Sequence, residues 1–96
     1  MSMRELLHRK REDILRLAGR SGARNVRVFG SVIRGEERPD SDVDFLVVMG
    51  DEQSLLDLIR LERELAELLR RKVQVVSEGG LNLHFRDGIL KDAIPL

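Results

Sequence analysis

Cysteine, tryptophan and tyrosine are absent from this sequence, and three phenylalanines are the aromatic residues among its 96 positions. Without cysteine, the chain forms neither disulfide bonds nor thiolate metal sites, and it has no cysteine nucleophile. No apolar run approaches the ~18 residues of a membrane-spanning helix, and charged residues interrupt the N-terminal segment where a signal-peptide core would lie. Few aromatic residues and a pI near 6.7 do not favour direct binding to nucleic acid. We therefore expect a cytoplasmic protein without a membrane partner.

Positive and negative charges are segregated along the chain, although the net charge is zero. Residues 1–38 carry a balance of +5, residues 39–69 a balance of −7 and residues 70–96 a balance of +2. Solvated helix faces are the ordinary explanation of such segregation. The alternative is a basic wall that faces phosphates beside an acidic centre that holds a cation.

The length of the chain predicts one small domain over residues 1–96. Hydrophobic periodicity divides it into alternating helices and strands. Ser2 and Glu5 have the spacing of a capping box, which marks the start of the first helix. Helices are expected from Ser2 to Gly19, over 52–71 and over 83–93 with a stop at Pro95, and strands over 26–29, 42–49 and 72–77.

The segment 42–49 is apolar on both faces, which is typical of a strand inside a sheet that helices cover. A polar segment precedes it, with Gly35 and Pro39 marking a turn. Strands that alternate with helices indicate an α/β layer domain with a small sheet of three or more strands.

Two carboxylates stand at the head of that central strand. Asp42 and Asp44 are separated by one residue, and side chains at i and i+2 of a strand point to the same face. Carboxylates placed side by side repel each other unless a positive charge lies between them. Mg²⁺ suits such a place, because it takes oxygen ligands and is often bound by one or two carboxylates together with substrate phosphates.

A glycine–serine pair lies upstream of the carboxylates, directly after the first strand. Gly30 allows close approach of the backbone to a phosphate, and the Ser31 hydroxyl and the amides that follow can donate hydrogen bonds to it. A short helix beginning near Ser31 would add further N–H donors. Arg34 lies about one helical turn further on, within reach of the same phosphates.

Each of these features has an ordinary explanation when taken alone. An Asp-x-Asp pair is more often a solvated strand end, a Gly-Ser pair is usually a turn, and Arg34 would be a surface charge. The combination at this spacing between two expected strands is much more specific.

The residues Gly30-Ser31, Arg34-Gly35, Ser41-Asp42 and Asp44 resemble the signature of the nucleotidyltransferases of the DNA polymerase β superfamily, and in particular its minimal members, the MNT domains. The resemblance extends over nearly the whole chain, including the closing stretch from Glu78 to Leu96. It implies a nucleotidyltransferase fold, a small mixed sheet packed by helices in the order α-β-α-β-α-β-α.

The same resemblance implies a chemistry and a partner. Members of the superfamily transfer a nucleotidyl group from a nucleoside triphosphate to a hydroxyl, and pyrophosphate leaves. Many minimal members act as the antitoxin beside a HEPN-domain toxin, and some adenylylate it. By this resemblance Asp42 and Asp44 are the catalytic ligands of Mg²⁺, Gly30 and Ser31 hold the β- and γ-phosphates of a triphosphate such as ATP, and Arg34 assists.

The chain departs from the family pattern on its third strand. Gln74, in the sequence Val-Gln-Val-Val, stands where the family commonly has a third carboxylate. Glutamine is neutral and cannot act as a base, and general-base help is typically worth ~10²–10⁴ in rate. Glu78 points to the same side of the strand, but four residues span ~13 Å, too far for a simple substitution. Gln74 has two explanations: it is simply an exposed polar residue on an edge strand, or it reflects a loss of catalytic activity.

Two functions from different classes follow. The first is an Mg²⁺-dependent enzyme that transfers AMP to a hydroxyl of a separate protein, since a chain this short has no second domain to hold an acceptor. The second is an antitoxin of low or no activity that neutralises its partner by contact, which Gln74 favours. A nucleotide-sugar site of a glycosyltransferase would leave Gly30-Ser31 unexplained. Any surplus apolar face on the leucine-rich helix or the tail would serve the partner or a homo-oligomer.

Overall fold

The computed structural model describes residues 2–36, 38, 40–81 and 83–96, without the side chains of Leu83 and Phe85. Pro39, expected to mark a turn, lies outside the described residues. The helices are α1 (Met3–Arg9), α2 (Arg11–Arg20), α3 (Ser31–Arg34), α4 (Leu55–Leu69) and α5 (Leu83–Asp92), and the strands are β1 (Ala23–Phe29), β2 (Val43–Met49), β3 (Val73–Ser77) and β4 (Ile94–Pro95). A short 3₁₀ turn, Glu78–Gly80, follows β3.

The four strands form one mixed sheet in the order β3-β2-β1-β4. β1 pairs with β2 and β4 in antiparallel orientation, whereas β2 and β3 are parallel. β2 thus lies inside the sheet, as its apolar residues on both faces predict. The expected fold class, a small mixed sheet packed by helices, is confirmed.

The main core lies on one face of this sheet. Val43, Phe45 and Val47 of β2 are buried there in one cluster with side chains of α2 and α4. Leu61, Leu65 and Leu69 of α4 and Ile14 and Ala18 of α2 belong to the same cluster. Because alternate side chains of a strand point to opposite faces, Asp44 and Leu46 lie on the other face of β2. The helical core therefore holds the backbone that presents Asp44.

The N-terminal helix is divided in two, whereas periodicity predicts one helix to Gly19. The division falls at Lys10, and Ser2 caps the first helix as predicted, with the Glu5 amide donating to Ser2 Oγ at 3.1 Å. α1 packs against α3, while α2 packs against β1 and α4. The break lets two short helices bury their apolar residues against different elements.

The fourth strand is an addition to the expected elements. Ile94 and Pro95 pair with Val28 and Arg27 of β1, and the Leu96 amide donates to the carbonyl oxygen of Val26 at 3.1 Å. The tail helix ends at Asp92, and Pro95, which was expected to stop it, lies beyond the helix in β4. Proline is tolerated there because β4 is at the edge of the sheet. Within the part of the chain that the structure describes, no helix is both long and apolar enough to span a bilayer.

Candidate active site

Gly30 and Asp44 face each other where β1 and β2 meet. The register of the two strands places Phe29 opposite Asp44, so Gly30 follows directly beside the carboxylate. Gly30 has φ +82°, and a Cβ built on it would overlap Asp44 Oδ2. Glycine is therefore required here twice, for its backbone conformation and for the space. The Gly30–Ser31 motif and the Asp-x-Asp motif are brought together as the sequence predicts.

Asp42 and Asp44 differ in their surroundings. Asp42 is exposed immediately before β2, and Asp44 is half-buried within it. Burial raises the pKa of the Asp44 carboxyl above its ordinary value, the charge of Asp42 raises it further, and Arg34 acts in the opposite direction. The effect of the Asp42 charge on the pKa of Asp44 agrees with the expected placement of the two carboxylates on one face. Ionised Asp44 is thus short of positive charge, which is the setting in which a cation binds.

Arg34 lies at the end of α3, the short helix that Gly30 and Ser31 begin. Its Nε donates to Glu36 Oε2 at 3.3 Å, and about half of the Arg34 side chain is exposed. Exposed ion pairs of this kind contribute ~0–1 kcal/mol, so the guanidinium can exchange Glu36 for a phosphate at little cost. Arg34 is close enough to Asp44 to lower the pKa of its carboxyl, and Ser31 is the first residue of α3, directly after Gly30.

Arg71 anchors the loop before Asp42, a role that sequence reasoning missed. Its Nη2 donates to the carbonyl oxygens of Arg38 at 3.0 Å and Ser41 at 2.9 Å. Ser41 Oγ also accepts the Arg38 amide at 2.8 Å. These bonds connect the start of β3 to the segment that delivers Asp42. The sequence did not indicate this role of Arg71, because no local feature distinguishes it from any other surface arginine after a helix.

Gln74 lies beside Asp44 in the register of β2 and β3. It is exposed, and it therefore occupies the sheet position next to the Asp pair, where the family resemblance puts a third carboxylate. Glu78 is engaged elsewhere, in a partly buried ion pair with Arg27. Among the described residues, no group of three or more His, Cys, Asp or Glu side chains is arranged to hold a metal ion. A cation at Asp42 and Asp44 would need further oxygen ligands from a substrate.

A cavity of about 420 Å³ opens beside Asp44 and extends along α5. Phe29, Gly30, Arg34 and Asp44 line one side, and His84, Gly88, Ile89 and Asp92 line the other. Sequence reasoning named no site residue on this helix and treated it only as part of the closing stretch and as a surface for a partner or a homo-oligomer. The spacing of its lining residues, i, i+4 and i+8 for His84, Gly88 and Asp92, is the signal that could have shown one shared face. The volume is within the ~300–1,000 Å³ of small-molecule sites.

Comparison with known proteins agrees with this geometry. The model of the family described as polymerase β nucleotidyltransferase matches residues 12–96. The protein adenylyltransferase MntA of Thermococcus cleftensis is 40% identical over 78 residues, which are 81% of this chain and 79% of that protein. A solved structure of a candidate minimal nucleotidyltransferase has a TM-score of 0.86 at 50% identity, covering 96% of this chain and 94% of that one.

Two toxin–antitoxin crystal structures share the fold at lower identity. One, solved with AMP-PNP, has a TM-score of 0.76 at 20% identity and covers 88% of this chain and 69% of that one. The other, of MntA with HepT, has a TM-score of 0.69 at 17% identity and covers 90% of this chain and 68% of that one. The resemblance carried by Gly30, Ser31, Asp42 and Asp44 is confirmed at the level of family and fold: this chain belongs to the polymerase β nucleotidyltransferase family.

Proposed function

We propose that this chain transfers AMP from ATP to a hydroxyl of a protein partner, a HEPN-domain toxin, and so acts as its antitoxin. The observation that carries the proposal is the meeting of Gly30, Arg34 and Asp44 at one cavity. A Cβ at Gly30 would overlap the Asp44 carboxylate, so the backbone and the carboxylate lie in close contact, and Arg34 lines the same cavity. This arrangement suits a phosphate group and a cation. The name of the relative from Thermococcus cleftensis, a protein adenylyltransferase, supports the same reaction.

Asp42 and Asp44 are the residues that would hold Mg²⁺, and the donor set fits it. Both are carboxylates, which Mg²⁺ prefers, and the raised pKa of Asp44 comes from burial and from the neighbouring charge of Asp42. When bound, Mg²⁺ would supply positive charge to the phosphate oxygens on which negative charge develops.

The remaining protein groups bind and orient the triphosphate. The Gly30 backbone admits the β- and γ-phosphates close to the chain, the Ser31 hydroxyl donates to them, and Arg34 neutralises them. The acceptor oxygen then forms a bond to the α-phosphorus as the bond from that phosphorus to pyrophosphate breaks, and the acceptor proton passes to solvent or base. Placement of the reacting atoms is the main contribution that such a site makes.

The partner is proposed from the resemblance and from the toxin–antitoxin pairs that share the fold. An acceptor on a separate protein is consistent with a site whose Asp42 and Gln74 are exposed. The substrate, ATP, makes the cytoplasm the proposed location.

Label transfer tests this proposal. Purified chain, Mg²⁺ and the HEPN protein encoded nearby are incubated with ATP labelled either at the α- or at the γ-phosphate. We expect the partner to gain label from α-labelled ATP alone, and we expect Asp42→Asn to abolish the gain. Label from γ-labelled ATP would indicate phosphoryl transfer and overturn the proposal, as would an Asp42→Asn variant that labels normally.

Gln74 favours a second candidate, a binding antitoxin whose nucleotidyl transfer is slow. A neutral amide beside Asp44 cannot take the proton of an attacking hydroxyl. Under this candidate, Asp42→Asn still neutralises the toxin in cells, and the wild-type protein forms a tight complex without labelling it.

The substitution Gln74→Asp separates the two candidates further. Restoring a carboxylate would raise the rate of transfer by roughly 10² if the missing base limits it. Gln74→Asn is the matched control, since it shortens the side chain equally without adding charge, and it should give no increase. A rate that is unchanged in Gln74→Asp would show that the amide is not what limits transfer.

A further inference from the structure

Gly88 is a glycine inside a helix, where this residue is normally unfavourable. It lies in the middle of α5, and relative to alanine such a glycine destabilises a helix. Among the atoms that the structure describes, and apart from the chain neighbours and the backbone of α5 itself, none lies within 4 Å of a Cβ built on Gly88. Neither the backbone conformation nor contact with a described side chain therefore requires glycine at this position. What Gly88 preserves is open space, and that space belongs to the cavity beside Asp44.

His84, Gly88 and Asp92 form one face of α5, here called the α5 face. They are spaced four residues apart, so they lie in one row along the helix. All three line the cavity, together with Ile89. This row presents the imidazole ring of His84, the open space at Gly88 and the carboxylate of Asp92, and Ile89 adds an apolar side chain beside them. Such a wall offers contacts to a flat ring and to hydroxyl or amine donors.

The charges around the cavity favour one orientation of a bound nucleotide. Arg34 and Gly30 lie on the sheet side, where phosphates are favoured. Asp92 lies on the α5 face, and a carboxylate there repels phosphate oxygens while accepting hydrogen bonds from a ribose or a base. The triphosphate therefore points towards Arg34, and the uncharged part of the nucleotide points towards α5.

The acceptor has a different route to the reacting phosphorus. Among the described residues, the lining of the cavity includes Asp44 but not Asp42 or Gln74, which are exposed outside it. A protein chain approaching from solvent meets this exposed side first. The cavity is thus left to the nucleotide, and its volume suits a group of that size.

We propose that the α5 face is the nucleoside subsite, and that Gly88 is glycine so that the ring of the nucleoside can lie against the helix. This inference rests on the proposed nucleotidyl transfer and deepens it. It also assigns a substrate-contacting function to α5, which carries none of the family's signature residues quoted above.

Filling the space at Gly88 tests the subsite. Binding of Mg²⁺–ATP and of Mg²⁺–tripolyphosphate, which lacks a nucleoside, is measured by calorimetry for Gly88→Ala and Gly88→Leu. We expect Gly88→Leu to weaken ATP binding by at least about tenfold and Gly88→Ala to weaken it less, with tripolyphosphate binding unchanged. Gly19→Leu is the matched control, because Gly19 is also an exposed helical glycine with open space around it.

The outcomes distinguish this inference from the proposed function. If the wild-type protein binds ATP and Gly88→Leu binds it equally well, the nucleoside does not lie on the α5 face. Equal binding with loss of transfer in Gly88→Leu would assign that face to the acceptor and overturn the inference. If the wild-type protein binds neither ATP nor tripolyphosphate, the proposed function itself fails. Thermal unfolding checks that both leucine variants remain at least as stable as the wild-type protein, as the removal of a helical glycine predicts.

Discussion

Asp44 is the residue at which stability opposes the proposed binding of a cation. Its pKa is raised above the ordinary value of 3.8 by burial and then by Asp42, against the influence of Arg34. The folded protein therefore holds the Asp44 proton more tightly than the unfolded chain does. It follows that ionised Asp44 opposes folding in the absence of a cation. This cost is absent below pH 3.8 and is complete once the pH has risen past the raised pKa.

The substitution Asp44→Asn should remove this cost. We expect the metal-free variant to be more stable than the wild-type protein at pH 7, by an advantage that shrinks as the pH is lowered towards 3.8. Urea denaturation between pH 4 and pH 8 measures the difference, with exposed Glu52→Gln as the control for loss of one negative charge. Mg²⁺ with ATP should stabilise the wild-type protein and not the variant. A less stable Asp44→Asn at neutral pH would contradict this account.

At the scale of elements, α4 ends in a conformation that its sequence does not favour. Arg70 caps the helix with φ +53°, in the left-handed region that glycine adopts most easily. We expect Arg70→Gly to stabilise the protein by roughly 0.5–1 kcal/mol. Arg63→Gly, at an exposed position inside the same helix, should destabilise it by about 1 kcal/mol. Thermal unfolding of the two variants tests the contrast, and a loss of stability in both would refute it.

The elements that the sequence predicts best are those with long local patterns. β2 carries a run of apolar residues on both faces and α4 a regular apolar periodicity, and their bounds differ from the expected ones by a few residues at most. The break at Lys10 and strand β4 were not foreseen. Each depends on contacts with elements distant in the sequence, since α1 reaches α3 and Ile94 pairs with Val28. Local periodicity contains no information about such pairings.

The candidate site likewise has one part that local sequence predicts and another that depends on contacts between distant elements. Gly30 follows β1 directly and Asp44 lies in β2, the next strand along the chain and the antiparallel neighbour of β1, so their meeting could be predicted from the local sequence. The α5 face and Arg71 reach the site from later parts of the chain. A helix that covers an active site and an arginine that holds a loop can be recognised only once the elements have been assembled.

At the scale of the whole molecule, α4 has two apolar sides with different roles. One side, with Leu61, Leu65 and Leu69, is buried in the core. The other exposes Leu55, Leu56 and Ile59, with Leu56 75% exposed. The sequence predicts that a surplus apolar face of this kind serves a partner or a homo-oligomer, and that use stays a prediction. Whether the exposed apolar side of α4 contributes to the stability of the fold can be tested directly.

Leu65→Ala and Leu56→Ala compare the two sides of α4 within one helix. Leu65 is 1% exposed, and its truncation should cost ~2–5 kcal/mol in the free energy of unfolding. A chain of this size has only about 5–15 kcal/mol in total, so Leu65→Ala removes a large share. Leu56→Ala should change stability by less than about 0.5 kcal/mol, since no packing is lost at an exposed site. Urea denaturation measures both variants at one protein concentration and then at a tenfold higher one. Stability of the wild-type protein that rises with concentration, together with a loss in Leu56→Ala, would show that the exposed face is already buried between copies of the chain.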